Sequence, residues 1–265
     1  MMTGWRLLRL ETHNAFMNMA IDEAILTNRI ADATSNTIRF YRWNPSAVSI
    51  GKFQKIHNEI QLGNCRKLKV DVIRRVTGGG TVYHDAEDEI TYCIVADRKD
   101  LNADDITAVY SKVYSGLVEA LKALGITADF NEGNQKACPN LTVKGKKISG
   151  SAQAHKGGVV LQHGTLLLDV DLERMFTLLR VPWAETCMQV ANIAKGRITS
   201  LKEELGKRPS VECVENALIR GFRTAFKIDL KEGKLTEQEQ DLAQKLCGEK
   251  YATEEWNFHS KSSSA

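Results

Sequence analysis

The sequence predicts an α+β domain of mixed, mostly antiparallel sheets with helices packed against them. Three observations carry this. Short runs with period-two alternation of apolar and polar residues recur between Thr3 and Val170, bounded by Gly, Asn and Pro. Long segments with apolar residues every three or four positions are interspersed among them. Lys144-Gly145 and Lys156-Gly157-Gly158 read as tight turns, the connections that join antiparallel strands.

Taken in order, Thr3–Leu10 reads as a first strand. Asn14–Ile30 reads as a helix with Met17, Ile21, Ala24 and Ile25 on one face and Asp22-Glu23 off it. Thr37–Trp43 alternates Ile38 and Phe40 against Arg39 and Tyr41, as a strand does; Asn44-Pro45 marks a turn, and Ala47–Phe53 is a further strand. Gln61–Lys69 is polar and helical, and Val70–Ile73 and Thr81–Tyr83 are short strands. Glu89–Ala96 alternates as a half-buried strand in which Cys93 is a small packed residue. The strongest helical pattern runs from Asp104 to Leu124, with Ile106, Val109, Tyr110, Val113, Leu117 and Leu121 in one stripe. An aspartate caps its start and Gly125 ends it. Residues 131–140 form a loop, followed by strands at Leu141–Lys144, Lys147–Ala154 and Val159–Val170. Helices are expected at Asp171–Leu179 and Ser210–Phe226, and a third from a capping box of Thr236 and Glu239 through Leu246. Residues 1–259 read as a single catalytic domain, its core reaching about 230 with a helical appendage over 231–259. Residues 260–265 read as a disordered tail.

Composition narrows the function. At 265 residues with 43% hydrophobic and 26% charged content, the chain is an ordinary globular protein. A net charge of +3, from 36 basic and 33 acidic residues, is too small to argue for nucleic acid. No stretch approaches the roughly 20 apolar residues that span a bilayer, so no membrane partner is expected. Met1–Leu10 lacks a cleavable signal pattern. The cysteines at 65, 93, 138, 187, 213 and 247 show no CxxC pair. They read as reduced thiols in a cytoplasmic protein without a metal site.

Chemistry concentrates in Arg74-Arg75-Val76-Thr77-Gly78-Gly79-Gly80-Thr81-Val82-Tyr83-His84-Asp85. Three residues without Cβ let a ligand approach the main chain, whose N–H groups can grip an anion, and two arginines stand beside them. A strand follows where the common nucleotide loops open a helix, and no Gly-Lys-Ser/Thr is present. The same glycines would also serve a plain turn between strands. Further on, Gly145-Lys146-Lys147-Ile148-Ser149-Gly150-Ser151-Ala152-Gln153 puts two cations at a hairpin. Alternation along a strand keeps Lys146 and Lys147 from both facing inward. Gln162-His163-Gly164-Thr165 lies on the next strand, where a histidine serves either a site or the core.

Together with Asn18-Met19-Ala20-Ile21-Asp22-Glu23-Ala24 and Gln162-His163-Gly164-Thr165-Leu166-Leu167, these stretches resemble the lipoate–protein ligase A family. That family is part of the biotin/lipoate ligase and octanoyltransferase superfamily, and the blocks cover most of residues 5–170 in the expected order. The resemblance implies a biotin/lipoate ligase-like catalytic domain. It implies an ATP-dependent ligase that makes lipoyl-adenylate from lipoate and then acylates a lysine of a lipoyl-domain acceptor protein, with Mg2+ accompanying the ATP. In that scheme Lys147 is catalytic. Arg75, Gly80, Thr81, Val82, Tyr83 and Lys147 bind ATP, while Gly78, Gly79, His84, Lys147 and His163 bind the lipoyl group.

Too few residues follow 226 for the accessory domain of single-chain ligases. The chain therefore resembles the bipartite type, whose accessory domain is a separate small protein. After His84-Asp85 it lacks the Gly-Asn often found in the family, which loosens the choice of branch. One alternative is an octanoyl- or lipoyltransferase that uses no ATP and carries the acyl group as a cysteine thioester. Cys138, in a loop near Lys136 and Lys146, is then the nucleophile. A second alternative is a non-catalytic acyl or nucleotide sensor, which an intact Lys147 argues against.

Overall fold

The computed structural model describes residues 4–134, 138–181, 184 and 186–258. The chain opens with β1 (Gly4–His13), α1 (Ala15–Ile30), β2 (Thr37–Trp43) and β3 (Ala47–Ile50). Short helices α2 (Ile56–Glu59) and α3 (Leu62–Lys67) lead to β4 (Asp71–Arg74), β5 (Val82–His84) and β6 (Glu89–Asp97). After α4 (Ile106–Ala123) come β7 (Asp129–Asn131), β8 (Asn140–Val143), β9 (Lys146–Lys156) and β10 (Val159–Leu167). The chain then forms α5 (Leu172–Leu178), α6 (Cys187–Ala194), α7 (Leu201–Leu205), α8 (Val211–Phe226), β11 (Asp229–Glu232), α9 (Glu237–Leu246) and α10 (Glu254–Phe258).

Among the described residues, eight strands make one sheet in the order β11-β1-β2-β6-β10-β9-β8-β7, and β4-β3-β5 make a second. In the large sheet β1 runs parallel to β2 and β11, and the remaining neighbours are antiparallel. This is the mixed, mostly antiparallel α+β architecture that the alternating runs and tight turns predict. Lys144 and Gly145 turn with φ of 50° and 79°, and Gly157 and Gly158 with 56° and 80°. Left-handed pairs of this kind match the twist of antiparallel strands.

Both faces of the large sheet are covered. Ile90, Tyr92, Ile94 and Ala96 of β6 pack with Val113, Leu117 and Leu121 of α4 and with Leu218 and Phe222 of α8. Cys93 and Val95 join Tyr41 and Trp43 against Met19, Ala24 and Ile25 of α1 and Ala243 of α9. The half-buried strand expected at Glu89–Ala96 is therefore buried throughout, because α1 covers the face that alternation assigned to solvent. The helices α4 and α8 meet closely: a Cβ at Gly221 would lie 2.3 Å from the Gly116 carbonyl oxygen.

The expected aspartate cap is Asp105, and Thr236 with Glu239 forms the expected capping box; Asn14, Asp171 and Ser210 likewise accept N–H bonds from the first turns of their helices. The short elements α2, α6, α7, β7 and β11 have no counterpart in the sequence reading, being too brief to show a period, while α10 falls within the span expected to be a helical appendage. β11 extends the large sheet beside β1, and Lys250 and the Tyr251 hydroxyl bind the Glu23 carboxylate of α1. The expected tail, 260–265, lies outside the described residues. Among those residues, no helix is long and apolar enough to cross a membrane.

Candidate active site

The glycine stretch joins β4 to β5, which flank β3 on opposite edges, so the chain must pass over the end of β3. There it meets Gly51, where a Cβ would stand 2.1 Å from the Gly79 carbonyl oxygen. Gly79 itself has φ of +88°, which favours glycine. The two arginines beside this loop are both buried. Arg74 donates to the carbonyls of Gly51, Lys52, Gln54, Trp256 and Asn257, so it fastens the segment after β3 and α10 together. Arg75 donates from Nη2 to the carbonyls of Gly78 at 3.0 Å and Gly80 at 2.9 Å. Burial pushes its pKa down to about 10, which still leaves it charged at neutral pH.

Two hydrogen-bonded relays run from Arg75 to buried carboxylates. In one, Arg75 Nε donates to Thr77 Oγ1 at 3.3 Å, and Thr77 and His163 Nε2 are 2.8 Å apart. His163 Nδ1 lies 3.0 Å from Asp22 Oδ2. In the other, Arg75 Nη1 donates to Ser49 Oγ at 2.7 Å and Ser49 is 2.7 Å from His84 Nε2. His84 Nδ1 is 2.8 Å from Glu89 Oε1. Each hydroxyl accepts from the arginine, so its own proton is free for the imidazole, whose Nδ1–H then faces the carboxylate. Burial lowers the His163 pKa below the usual histidine value, against the pull of Asp22. Burial works to raise Asp22, but the His163 hydrogen bond and the Arg39 charge hold it below the usual carboxylate value.

Above the relays lies a cavity of about 130 Å³. Met19, Tyr41, Trp43 and Thr91 line its buried parts, His84 stacks on Trp43 at a centroid distance of 4.0 Å, and Gly79, Gly80, Thr81 and Val82 form one wall. Exposed Cys138, with Pro139 and Lys147, also lines it. The Cys138 loop is held by the Tyr114 hydroxyl on the Pro139 carbonyl at 3.2 Å and by Asn140 Nδ2 on the Cys138 carbonyl at 3.2 Å.

Lys147 is aimed by an irregularity between β8 and β9: Leu141 opposes Ser149, but Thr142 opposes Lys147. The extra residue, Ile148, is a bulge of the kind that redirects side chains beside active sites. Residues 197 and 199 then clasp the Lys147 backbone through bonds of 2.8 and 2.9 Å. Lys147 lines the cavity while remaining an exposed residue overall. Crowding by the walls lowers its pKa from the usual lysine value, and a negative charge on Cys138 would pull it back up. Lys146 faces away and pairs with Glu203 at 2.7 Å.

Of the residues expected in a site, the structure brings Arg75, Gly79, Gly80, Thr81, Val82, His84, Lys147 and His163 to this cavity. Gly78 and Tyr83 do not line it; the Tyr83 hydroxyl donates to Asp85 instead. The cations expected near Cys138 are rearranged as well, with Lys146 turned to Glu203, Lys136 outside the described residues and Lys147 in their place. Sequence reasoning missed Ser49, Thr77 and Asp22 as members of the network. A polar residue within Ala47-Val48-Ser49-Ile50 was the available signal for the first.

This sheet, this glycine loop and this lysine-bearing hairpin match the family model described as the lipoyl protein ligase A/B catalytic domain over residues 14–223. The chain belongs to that family and is therefore an enzyme. Among curated relatives, the octanoyltransferase LipM of Clostridioides difficile (strain 630) is 35% identical over 271 residues, covering 97% of this chain and 99% of its own. That of Bacillus subtilis (strain 168) is 31% identical over 96% of this chain and 98% of its own. Among solved structures, the bipartite lipoate protein ligase of Thermoplasma acidophilum superposes with a TM-score of 0.84 at 32% identity, covering 98% of each chain. A lipoate-protein ligase A bound with ATP gives 0.83 at 32% identity, covering 98% of this chain and all of its own.

The octanoyltransferase relatives overturn the ATP-dependent ligase expected above, and ATP and Mg2+ with it, since a transferase moves an acyl group that is already activated. The nucleotide roles assigned to Arg75, Gly80, Thr81, Val82, Tyr83 and Lys147 go with the nucleotide. The arginine pair that pointed to polyphosphate is engaged with main-chain carbonyls and the relay hydroxyls. Membership of an enzyme family also removes the sensor alternative.

Proposed function

We propose that this chain is an octanoyltransferase that takes an octanoyl group from a thioester donor onto Cys138 and passes it to a lysine of an acceptor lipoyl domain, without ATP. The observation that carries this reading is that Cys138 and Lys147 line one cavity. The names of relatives matching nearly the whole chain support it, and the lipoyl domain named with the Thermoplasma ligase supports the acceptor.

The Cys138 thiolate attacks the donor carbonyl, forming a C–Sγ bond, and the donor C–S bond breaks to release a thiol. The acceptor amine then attacks the enzyme thioester; a C–N bond forms, the C–Sγ bond breaks and the amine proton returns to the thiolate. Lys147 is the group placed to exchange that proton and to balance the sulfur's charge, and a lysine with a lowered pKa does so more readily. Buried Met19, Tyr41 and Trp43 offer the acyl chain an apolar bed, with Gly79 and His163 beside it. The free thiols fit the cytoplasmic location read from the sequence.

The test is octanoyl transfer from a carrier thioester to a lipoyl domain, followed by intact mass. An octanoyl adduct on Cys138 and loss of transfer in Cys138→Ser are expected; transfer retained by Cys138→Ser overturns the reading. The bipartite neighbour supports a separate small accessory protein, and full turnover by this chain alone removes that need.

A further inference from the structure

Arg75 pulls two carbonyls of the glycine loop, those of Gly78 and Gly80, onto one buried nitrogen. A trans peptide sets each C=O opposite the following N–H, and the only cis bond among the described residues is Asn44-Pro45. The amides of Gly79 and Thr81 therefore point away from buried Arg75. Among the described residues neither amide has a protein acceptor, although Gly79 and Thr81 line the cavity beside Cys138 and Lys147. Backbone N–H groups are obligatory donors, and a pair left open beside a nucleophile is suited to a developing negative charge.

We propose that the Gly79 and Thr81 amides bind the oxyanion formed as Cys138 is acylated, and that Ser49 and Thr77 are positioning residues that aim these amides through Arg75. The proposal rests on the octanoyltransferase reading. As the Cys138 C–S bond forms, the carbonyl π pair moves to oxygen, which accepts the two N–H groups. The pair returns as the donor C–S bond breaks and the departing sulfur takes a proton from the Lys147 ammonium. Ser49 and Thr77 are each anchored beyond Arg75 by a histidine and a buried carboxylate. The guanidinium is thus fixed from two sides while its Nη2 holds the loop. Removing either hydroxyl frees one side of the guanidinium, and the two carbonyls swing with it.

The experiment compares parent, Ser49→Ala, Thr77→Val and Thr77→Ser in two reactions of Cys138. Single-turnover acylation by a small octanoyl thioester passes through an oxyanion; alkylation by iodoacetamide does not. Deleting an oxyanion donor costs about 10²–10³ in rate, so misaiming a pair should slow acylation by about tenfold or more in Ser49→Ala and Thr77→Val. Alkylation rates should match the parent, and Thr77→Ser should recover most of the acylation rate. Equal acylation in all four proteins overturns the proposal, as does an equal loss of both reactions. If Thr77→Val fails to fold, Ser49→Ala carries the same comparison. A parent that is never acylated on Cys138 removes the transferase reading itself, whereas an acylated parent matched by its variants removes only the oxyanion loop.

Discussion

The Lys147 side chain lies folded over the α-carbon of Gly150, so close that a Cβ there would meet both its Cε and its Nζ at 2.6 Å. Gly150 is not in a left-handed conformation, so its backbone tolerates alanine. The atoms in the way are the free end of a flexible side chain.

Gly150→Ala should therefore move the ammonium and leave the fold alone. A displaced catalytic group about 1 Å out of place can cost on the order of 10²-fold. The expected result is a large loss of octanoyl transfer with an unfolding midpoint close to the parent's. Parent-like activity would show that the ammonium needs no fixed seat. Lys146→Ala, on the outward side of the strand, should be nearly silent.

The pH profile should carry the same lysine. Desolvation by the atoms crowded around it lowers the Lys147 pKa, so its positive charge is lost at a pH below that of an ordinary lysine. Activity that depends on the ammonium should fall early on the alkaline side, and kcat/KM against pH measures this. Between the lowered pKa and the ordinary value of 10.5 the unfolded chain binds more protons than the folded one at this site. This group's contribution to stability therefore rises with pH across that window. An alkaline limb that stays put in Lys147→Arg would assign it to another group.

Much of the fold was legible. The helices at 14–30, 104–124 and 210–226 showed themselves by apolar spacing, and that at 104–124 also by its capping aspartate, because each is long enough for a period to repeat. The strand at Glu89–Ala96 shows the limit: alternation reports two faces but not that α1 covers the second. Of α6 and α7, eight and five residues long, neither carries enough turns to be read. In the site, alternation kept Lys146 and Lys147 from both facing inward, a local property of a strand, and the family resemblance chose Lys147. The arginines were not legible, since Arg74-Arg75 beside three glycines reads alike whether the guanidiniums face a ligand or the loop's own carbonyls. Asp22 was read as lying off the apolar face of its helix, yet it is 1% exposed; its partners Arg39 and His163 are 17 and 141 residues away.

That burial makes Asp22 the most exacting position to change. Its carboxylate takes Arg39 Nη1 at 2.6 Å, the Tyr41 hydroxyl at 3.0 Å and His163 Nδ1 at 3.0 Å. Asp22→Ala would strand the Arg39 charge, and breaking a buried pair in this way costs about 3–5 kcal/mol. Denaturant unfolding should show it, and a loss under about 1 kcal/mol would mean that water replaces the carboxylate. Because the Asp22 pKa is lowered in the fold, its contribution is present above the unfolded carboxylate value and is lost as pH falls through the folded one. Asp22→Asn separates stability from function. Its amide nitrogen would donate to His163 Nδ1, moving the ring proton to Nε2, which then opposes the Thr77 hydroxyl instead of accepting from it. Acylation should therefore fall more in Asp22→Asn than its loss of stability explains, and a rate that tracks folded protein alone would detach the relay from the chemistry.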